Sequence, residues 1–254
     1  MCGRFALTEA VKTVAEAFSL AELEGFPARY NIAPTQPILV VIAGEGQAPG
    51  SNLPDRRALL VRWGLTPGWV KDPKEFPLLI NARAETAIGK ACFRAAMRHR
   101  RILIPASGFY EWHRPSKESG EKAQAYWIRP RRGGVIAFAG LMETWSSADG
   151  SEVDTGAILT TRANSAIASI HDRMPVVIQP EDFSRWLDCK TQEPRAVMDL
   201  MQPVQEDFFE AIPVSDKVNK VANMGPDLQE QVPLERQPKP PEKKAPDKAQ
   251  LSFF

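Results

Sequence analysis

The sequence predicts one mixed α+β domain of mostly antiparallel, twisted sheets forming a barrel-like core, with short peripheral helices and a disordered C-terminal tail. Three observations carry that prediction. Short apolar runs of strand length recur along the chain with Gly, Pro and polar turn residues between them. Helical patterns are few and short, and the composition does not break before about Gly225. A length of 254 residues, 43% hydrophobic, suits one large domain or two small ones with a real core.

The elements follow in order. Thr8 reads as an N-cap, and Val11, Val14, Ala15 and Phe18 follow at helical spacing, so an amphipathic helix comes first. Residues 31–42, NIAPTQPILVVI, read as a Pro-punctuated loop running into a strand, and residues 58–65, ALLVRWGL, as the next strand. Further strands are expected at 78–81, 101–104, 125–129, 135–141, 157–161, 176–179 and 208–214. Short helices fit 91–98, 164–170, 181–188 and 194–201. From Pro226 the chain reads PDLQEQVPLERQPKPPEKKAPDKAQLSFF, rich in Pro and in charges of both signs. Such a stretch buries too little apolar surface to offset its ordering entropy. The expected boundary therefore separates a domain at 2–223 from a disordered tail at 224–254.

Composition excludes several classes. No apolar run approaches the ~20 residues of a spanning helix, and the N-terminus lacks the order of a signal peptide, so no membrane is expected and the location is cytoplasmic. The cysteines are Cys2, Cys92 and Cys189, too few and too far apart for a disulfide framework or a zinc site. The net charge of +1 argues against a generic basic nucleic-acid binder. Between Asn81 and Arg132, however, twelve Lys/Arg stand against four acids, a local excess of +8. That stretch is either a phosphate-binding stripe or a solvated face.

Four short stretches join reactive or polar residues to basic or aromatic neighbours: MCGRF at the start, NARAET from Asn81, SGFYEW from Ser107 and HDRMP from His171. Each has an ordinary reading alone. Cys2 would lie in a frayed terminus, Asn81 would cap a turn, Glu111 would face solvent from a strand, and His171 would cap the preceding helix. The other reading of Cys2 starts from removal of Met1, which exposes an amine and a thiol on adjacent carbons. An α-amine titrates near pH ~8 and a thiol near ~8.5, so both are partly nucleophilic at neutral pH.

In order along the chain, MCGRF, YNIAPTQ, RWGLTPGW, INARAET, IPASGFYEW, AILTTRANSAIASIHDRMPVVI and a following WL resemble the SOS response-associated peptidase (SRAP) family, over about residues 2–214. The resemblance implies a processed N-terminal cysteine that bonds covalently to abasic sites in single-stranded DNA. It implies Cys2 as nucleophile, Asn81, Glu111 and His171 as its catalytic partners, and Arg4 and Arg83 as contacts to the DNA backbone.

Residue chemistry agrees with that implied reaction. An abasic sugar opens to an aldehyde, and an α-amine condenses with it to an imine. An imine alone hydrolyses, or promotes β-elimination that cuts the strand. A thiol on the next carbon instead closes a five-membered thiazolidine, helped by proximity. Glu111 lies between Tyr110 and Trp112, where desolvation would favour the neutral acid and suit it to protonate the sugar oxygen. The imidazole of His171 suits proton shuttling, and Asn81 offers a donor and an acceptor. Trp63 and Trp69 flank a Gly/Pro turn, where the rings would either stack on bases or pack in the core. No metal or cofactor is required. Two alternatives stay open: a thiol-dependent autopeptidase that removes Met1, and a non-catalytic reader of modified bases, which would have no use for a free cysteine amine.

The chain ends QLSFF. Gln250, Leu251, Phe253 and Phe254 resemble the short peptide by which bacterial repair proteins dock on the sliding clamp, with Phe253 in place of the usual leucine. The expected protein is thus a nucleoid-associated monomer acting in the DNA damage response.

Overall fold

The computed structural model describes residues 2–45, 55–116, 118 and 122–234. In chain order, β1 (Arg4–Leu7), α1 (Val11–Phe18), β2 (Arg29–Ile32), β3 (Pro37–Ala43) and β4 (Arg56–Trp63) lead to β5 (Asn81–Arg83), α2 (Ala84–Ala87) and α3 (Arg94–His99). The chain continues through β6 (Arg101–Ala106), β7 (Gly108–His113), β8 (Gln124–Pro130), β9 (Ile136–Ser146) and β10 (Glu152–Arg162). It ends with α4 (Ser165–Ala168), β11 (Arg173–Pro175), β12 (Val177–Ile178), α5 (Phe183–Leu187) and β13 (Phe209–Val214).

Five strands close into a barrel. β10 runs parallel to β4, while β4–β3, β3–β6, β6–β9 and β9–β10 are antiparallel. Closure removes the open edges that a sheet of such apolar strands would otherwise present. The interior is tight at Gly140, where a Cβ would lie 2.7 Å from Ile104 Cδ1 and 2.9 Å from Ile102 Cγ1. β10 is longer than the barrel needs. Its first part pairs β9 and β4; Ile158 pairs β9 on one side and β5 on the other, and Leu159 to Arg162 pair β5 and β11.

A second sheet, in the order β13-β8-β7-β1-β2, lies against the barrel. Alternation along β1 and β7 turns Phe5 and Phe109 toward it. Phe5 meets Trp63 and Phe138 edge-on, with centroids at 5.2 and 6.1 Å, and Phe109 meets Phe138 at 6.1 Å. The opposite face of this sheet holds a smaller core of Ala6, Tyr110, Trp127 and Val214, covered by Val218 and Leu228 from the C-terminal segment.

The α+β barrel-like core is as expected, and most expected strands form within a few residues of their limits. Several details differ. α1 begins after Ala10, and Thr8 does not cap it, because the Thr8 hydroxyl and N–H both bond Ser107 Oγ. The strand expected at 78–81 is displaced to β5, leaving only a bridge between Leu65 and Leu79. The segment at Pro194–Met201 is 3-10 rather than α-helical. β1, β2, β7 and β11 were not expected as strands, β2 falling partly in the expected loop; they are short, and tertiary pairing stabilises them. The domain also continues past 223: Leu228 is wholly buried, Gln231 bridges Val214, and Val232 N–H donates to Pro213 O. Apolar Leu228 inside a polar stretch escapes a composition window. Residues 235–254, with Gln250, Leu251, Phe253 and Phe254, lie outside the described residues.

The basic excess is not one stripe. Arg101 is buried, Arg98 pairs with Glu193, Arg100 with Glu143 and Asp154, and Arg129 with Glu210.

Candidate active site

Cys2 is wholly buried immediately before β1, so the frayed-terminus reading fails. Its Sγ lies 3.8 Å from Arg4 O. Burial pushes the thiol well above its ordinary range, and the Glu111 carboxylate pushes it further. Pairing of β1 with β7 sets Arg4 opposite Tyr110, so the same register brings Glu111 level with Gly3. With Met1 still attached, residue 2 thus offers a protonated thiol and an amide nitrogen, and neither is a strong nucleophile.

Asn81 opens β5, which is held parallel to β10 through Ile158. Its Nδ2 donates to Cys2 O at 2.9 Å. Its Oδ1 is buried and has no hydrogen-bond partner among the described residues. A buried acceptor left unpaired costs about 1–3 kcal/mol.

Glu111 is 1% exposed. Glu111 is buried, but not by the rings beside it. Along β7, Tyr110 and Trp112 point to the far face of the sheet, where Tyr110 Oη donates to Tyr30 O and Trp112 Nε1 to Asn219 Oδ1. Glu111 alternates with them and shares the barrel-facing side with Phe109, so the sheet–barrel interface excludes water from it.

His171 follows α4, whose N-cap Asn164 accepts from Ile167 N–H at 3.2 Å. Its Nδ1 accepts from Arg173 N–H at 3.0 Å and lies 2.9 Å from Asp172 Oδ1. The backbone N–H is a permanent donor, so Nδ1 is the acceptor in that contact. His113 Nδ1 donates to Ser169 O at 2.8 Å. His113 and Glu111 share one face of β7, so this bond brings the His171 turn to the Glu111 side of the sheet.

One pair absent from the sequence reading joins two arms of the site. Arg173 Nη1 and Nη2 donate to the two oxygens of Glu85 at 2.6 and 2.9 Å, tying β11 to α2. Glu85 lies four residues after Asn81, and Arg173 two after His171. The signal was present as opposite charges in NARAET and HDRMP, but nothing in one dimension joins them.

The expected DNA-contact residues divide. Trp69 is 62% exposed, with an edge-on contact to Phe76 at 5.5 Å, and Arg83 is exposed. Trp63 is wholly buried in the core, so base stacking by its ring is overturned; its Nε1 instead donates to Ile80 O at 2.9 Å, one residue before Asn81. Arg4 is half-buried and bonds neutral oxygens of the protein itself. Among the described residues no cluster of three or more His, Cys, Asp or Glu is placed to hold a metal, and no helix is long and apolar enough to cross a membrane.

Comparison with known proteins places the whole described domain among related chains. The chain is 39% identical over 231 residues to the abasic site processing protein YoqW of Bacillus subtilis, covering 90% of this chain and 98% of that one. It is 30% identical to the abasic site processing protein YedK of Escherichia coli (90% and 98% covered), and 26% identical to the abasic site processing protein HMCES of Xenopus tropicalis (89% and 77%). A crystal structure of a Bacteroides thetaiotaomicron protein superposes with a TM-score of 0.75 at 21% identity, covering 91% of this chain and all of that one. The model of the family described as SOS response associated peptidase matches residues 1–221, and the chain belongs to that family.

Proposed function

We propose that this protein captures abasic sites in single-stranded DNA through Cys2 once Met1 has been removed. The observation that carries the reading is the bond from Asn81 Nδ2 to Cys2 O, which fixes residue 2 beside buried Glu111. The names of the relatives support the substrate. In the proposed sequence Glu111 protonates the sugar oxygen as the ring opens, and the Cys2 amine adds to the aldehyde and loses water to give an imine. The thiol then adds across that bond, sulfur to carbon and its proton to nitrogen, closing the thiazolidine. Asn81 Oδ1 is an acceptor suited to the new α-amine, and His171 moves protons among amine, sugar and water. Arg83 and Trp69 are the proposed contacts to the DNA backbone and bases, and no metal or cofactor takes part.

The test mixes the purified protein with a single-stranded oligonucleotide carrying one abasic site. Wild type forms a denaturant-stable, higher-mass band. Cys2→Ala, an N-terminally extended form, and an oligonucleotide with its aldehyde reduced form none. Intact mass showing Met1 retained in the adduct-forming protein overturns the mechanism.

A second reading concerns how Met1 leaves. Complete burial of Cys2 obstructs an external aminopeptidase and favours self-removal with Glu111 and His171 assisting. Synthesis without methionine aminopeptidase then yields processed wild type and unprocessed Glu111→Gln by intact mass. The proposal extends to docking on a sliding clamp through Gln250, Leu251, Phe253 and Phe254 in the cytoplasmic nucleoid. Deleting 250–254 abolishes co-elution with the clamp and leaves adduct formation unchanged.

A further inference from the structure

The N-terminal strand is held from an unexpected place. Arg4 Nη1 donates to Asn31 Oδ1 and to Val218 O, both at 2.8 Å, and Nη2 donates to Asn219 O at 3.1 Å. Asn31 is itself buried, and its Nδ2 lies 3.3, 3.1 and 2.9 Å from the carbonyl oxygens of Val218, Lys220 and Asn223. The segment that supplies these oxygens is braced in turn. Asn223 Nδ2 donates to Lys217 O, and Asn219 Oδ1 accepts from Trp112 Nε1, each at 2.8 Å. Val218 and Leu228 seal the segment onto the sheet from below.

We propose that Arg4 is a positioning residue for Cys2, and that residues 218–223 form a clasp gripping the N-terminal strand through Arg4 and Asn31. The inference rests on the reading of Cys2 as the capturing nucleophile. Three N–H groups of a planar guanidinium are directed at protein oxygens, which fixes the side chain in one orientation. A phosphate could take Arg4 only by leaving carbonyl groups of the clasp without that donor, at about 1–3 kcal/mol for each one buried.

The leverage is short. Arg4 stands two residues from Cys2, and Arg4 O is also the contact of Cys2 Sγ. First residues of a chain are mobile by default, and a misplacement of about 1 Å costs about a hundredfold in rate. The bond from Asn81 holds one carbonyl of residue 2, and pairing with β2 and β7 holds the backbone of the strand. The clasp adds a side-chain grip at Arg4, two residues from Cys2, and it reaches Asn223, two residues beyond the stretch matched by the family.

The test uses full-length, Met1-processed protein in three forms besides wild type: Arg4→Gln, Asn31→Ala and Asn223→Ala. Each is measured for adduct rate at saturating abasic oligonucleotide, for affinity and its salt dependence on an undamaged oligonucleotide, and for thermal unfolding. The clasp predicts a saturating rate reduced tenfold or more in Arg4→Gln and Asn31→Ala, and less in Asn223→Ala, with affinity and salt slope unchanged. The two asparagine variants alter no charge, so their loss of rate cannot come from a phosphate contact. Full saturating rate in folded Asn31→Ala overturns the proposal, as does a salt slope lowered by about one in Arg4→Gln with its saturating rate intact. If Asn31→Ala does not fold, Asn223→Ala decides in its place. Hydrogen exchange over residues 4–7 supplies a readout independent of the chemistry: it rises in the asparagine variants if the clasp exists. If wild type forms no adduct, the Cys2 reading fails alone, and exchange still decides whether the clasp holds the strand.

Discussion

Arg101 and Asn81 are polar side chains whose key atoms are buried, and they mark two regions built on opposite principles. Arg101 sits under α5 with its N–H groups directed at the carbonyl oxygens of Met97, Trp186, Asp188 and Gln192, and its cation lies 5.6 Å from the Trp186 ring centroid. Asn81 satisfies one carbonyl and leaves its own buried oxygen unpaired among the described residues. Burial is common to both, so burial does not distinguish scaffold from site. Completeness of hydrogen bonding does. Around Arg101 the hydrogen-bond network is closed, whereas at Asn81 one buried acceptor has no partner among the described residues.

Substitution separates the two regions, and the largest effect is expected at Arg101. Arg101→Ala leaves four carbonyl groups without their donor and opens a cavity, and should lower stability by about 3–5 kcal/mol in urea unfolding. The adduct rate of the protein that remains folded should be unchanged; a lowered rate would make Arg101 part of the site. Asn81→Ala should do the reverse. It removes an unpaired acceptor together with one hydrogen bond, so stability should move by less than about 1 kcal/mol. Its adduct rate should fall about a hundredfold, because Cys2 loses its anchor.

Smaller effects sharpen the same contrast at the two tryptophans. Trp69→Ala should weaken binding of undamaged single-stranded DNA by about 1 kcal/mol without altering the unfolding midpoint, as measured by fluorescence titration and thermal melting. The smallest effect is expected at Glu85. The hydrogen bond from Arg173 holds its carboxyl below the ordinary carboxylate range. A folded-state value depressed in this way adds stability at neutral pH, and that increment disappears as pH falls through the folded value. Glu85 is 43% exposed, so solvent screening limits the increment to under about 1 kcal/mol. Glu85→Gln should therefore be slightly less stable than wild type at pH 7 and should converge with it in acid.

Much of this was legible in one dimension. Apolar runs such as PILVVIA and RILIPA mark barrel strands because their residues suit a surface buried on one or both faces. The reactive residue types at Cys2, Asn81, Glu111 and His171 were legible as motifs, since their chemistry depends on identity and local order. What escaped was set by partners distant in sequence. β1, β7 and β11 are three to six residues long and stand only because neighbours pair with them. Trp63 and Trp69 look equivalent beside one Gly/Pro turn, yet one lies at the end of a barrel strand and the other beyond it.

By itself the sequence determined which side-chain groups are available: a thiol at Cys2, a carboxyl at Glu111, an imidazole at His171 and an amide at Asn81. It also determined the class of fold, because alternation and turn chemistry are local properties of the chain. Only the tertiary structure decided where water is excluded and which donors are already engaged. Glu111 owes its burial to the barrel rather than to the rings beside it, and Arg4 is held by a segment more than two hundred residues away. The physical reason is that desolvation and hydrogen-bond completeness are sums over neighbours in space, whereas chemical reactivity belongs to the single residue.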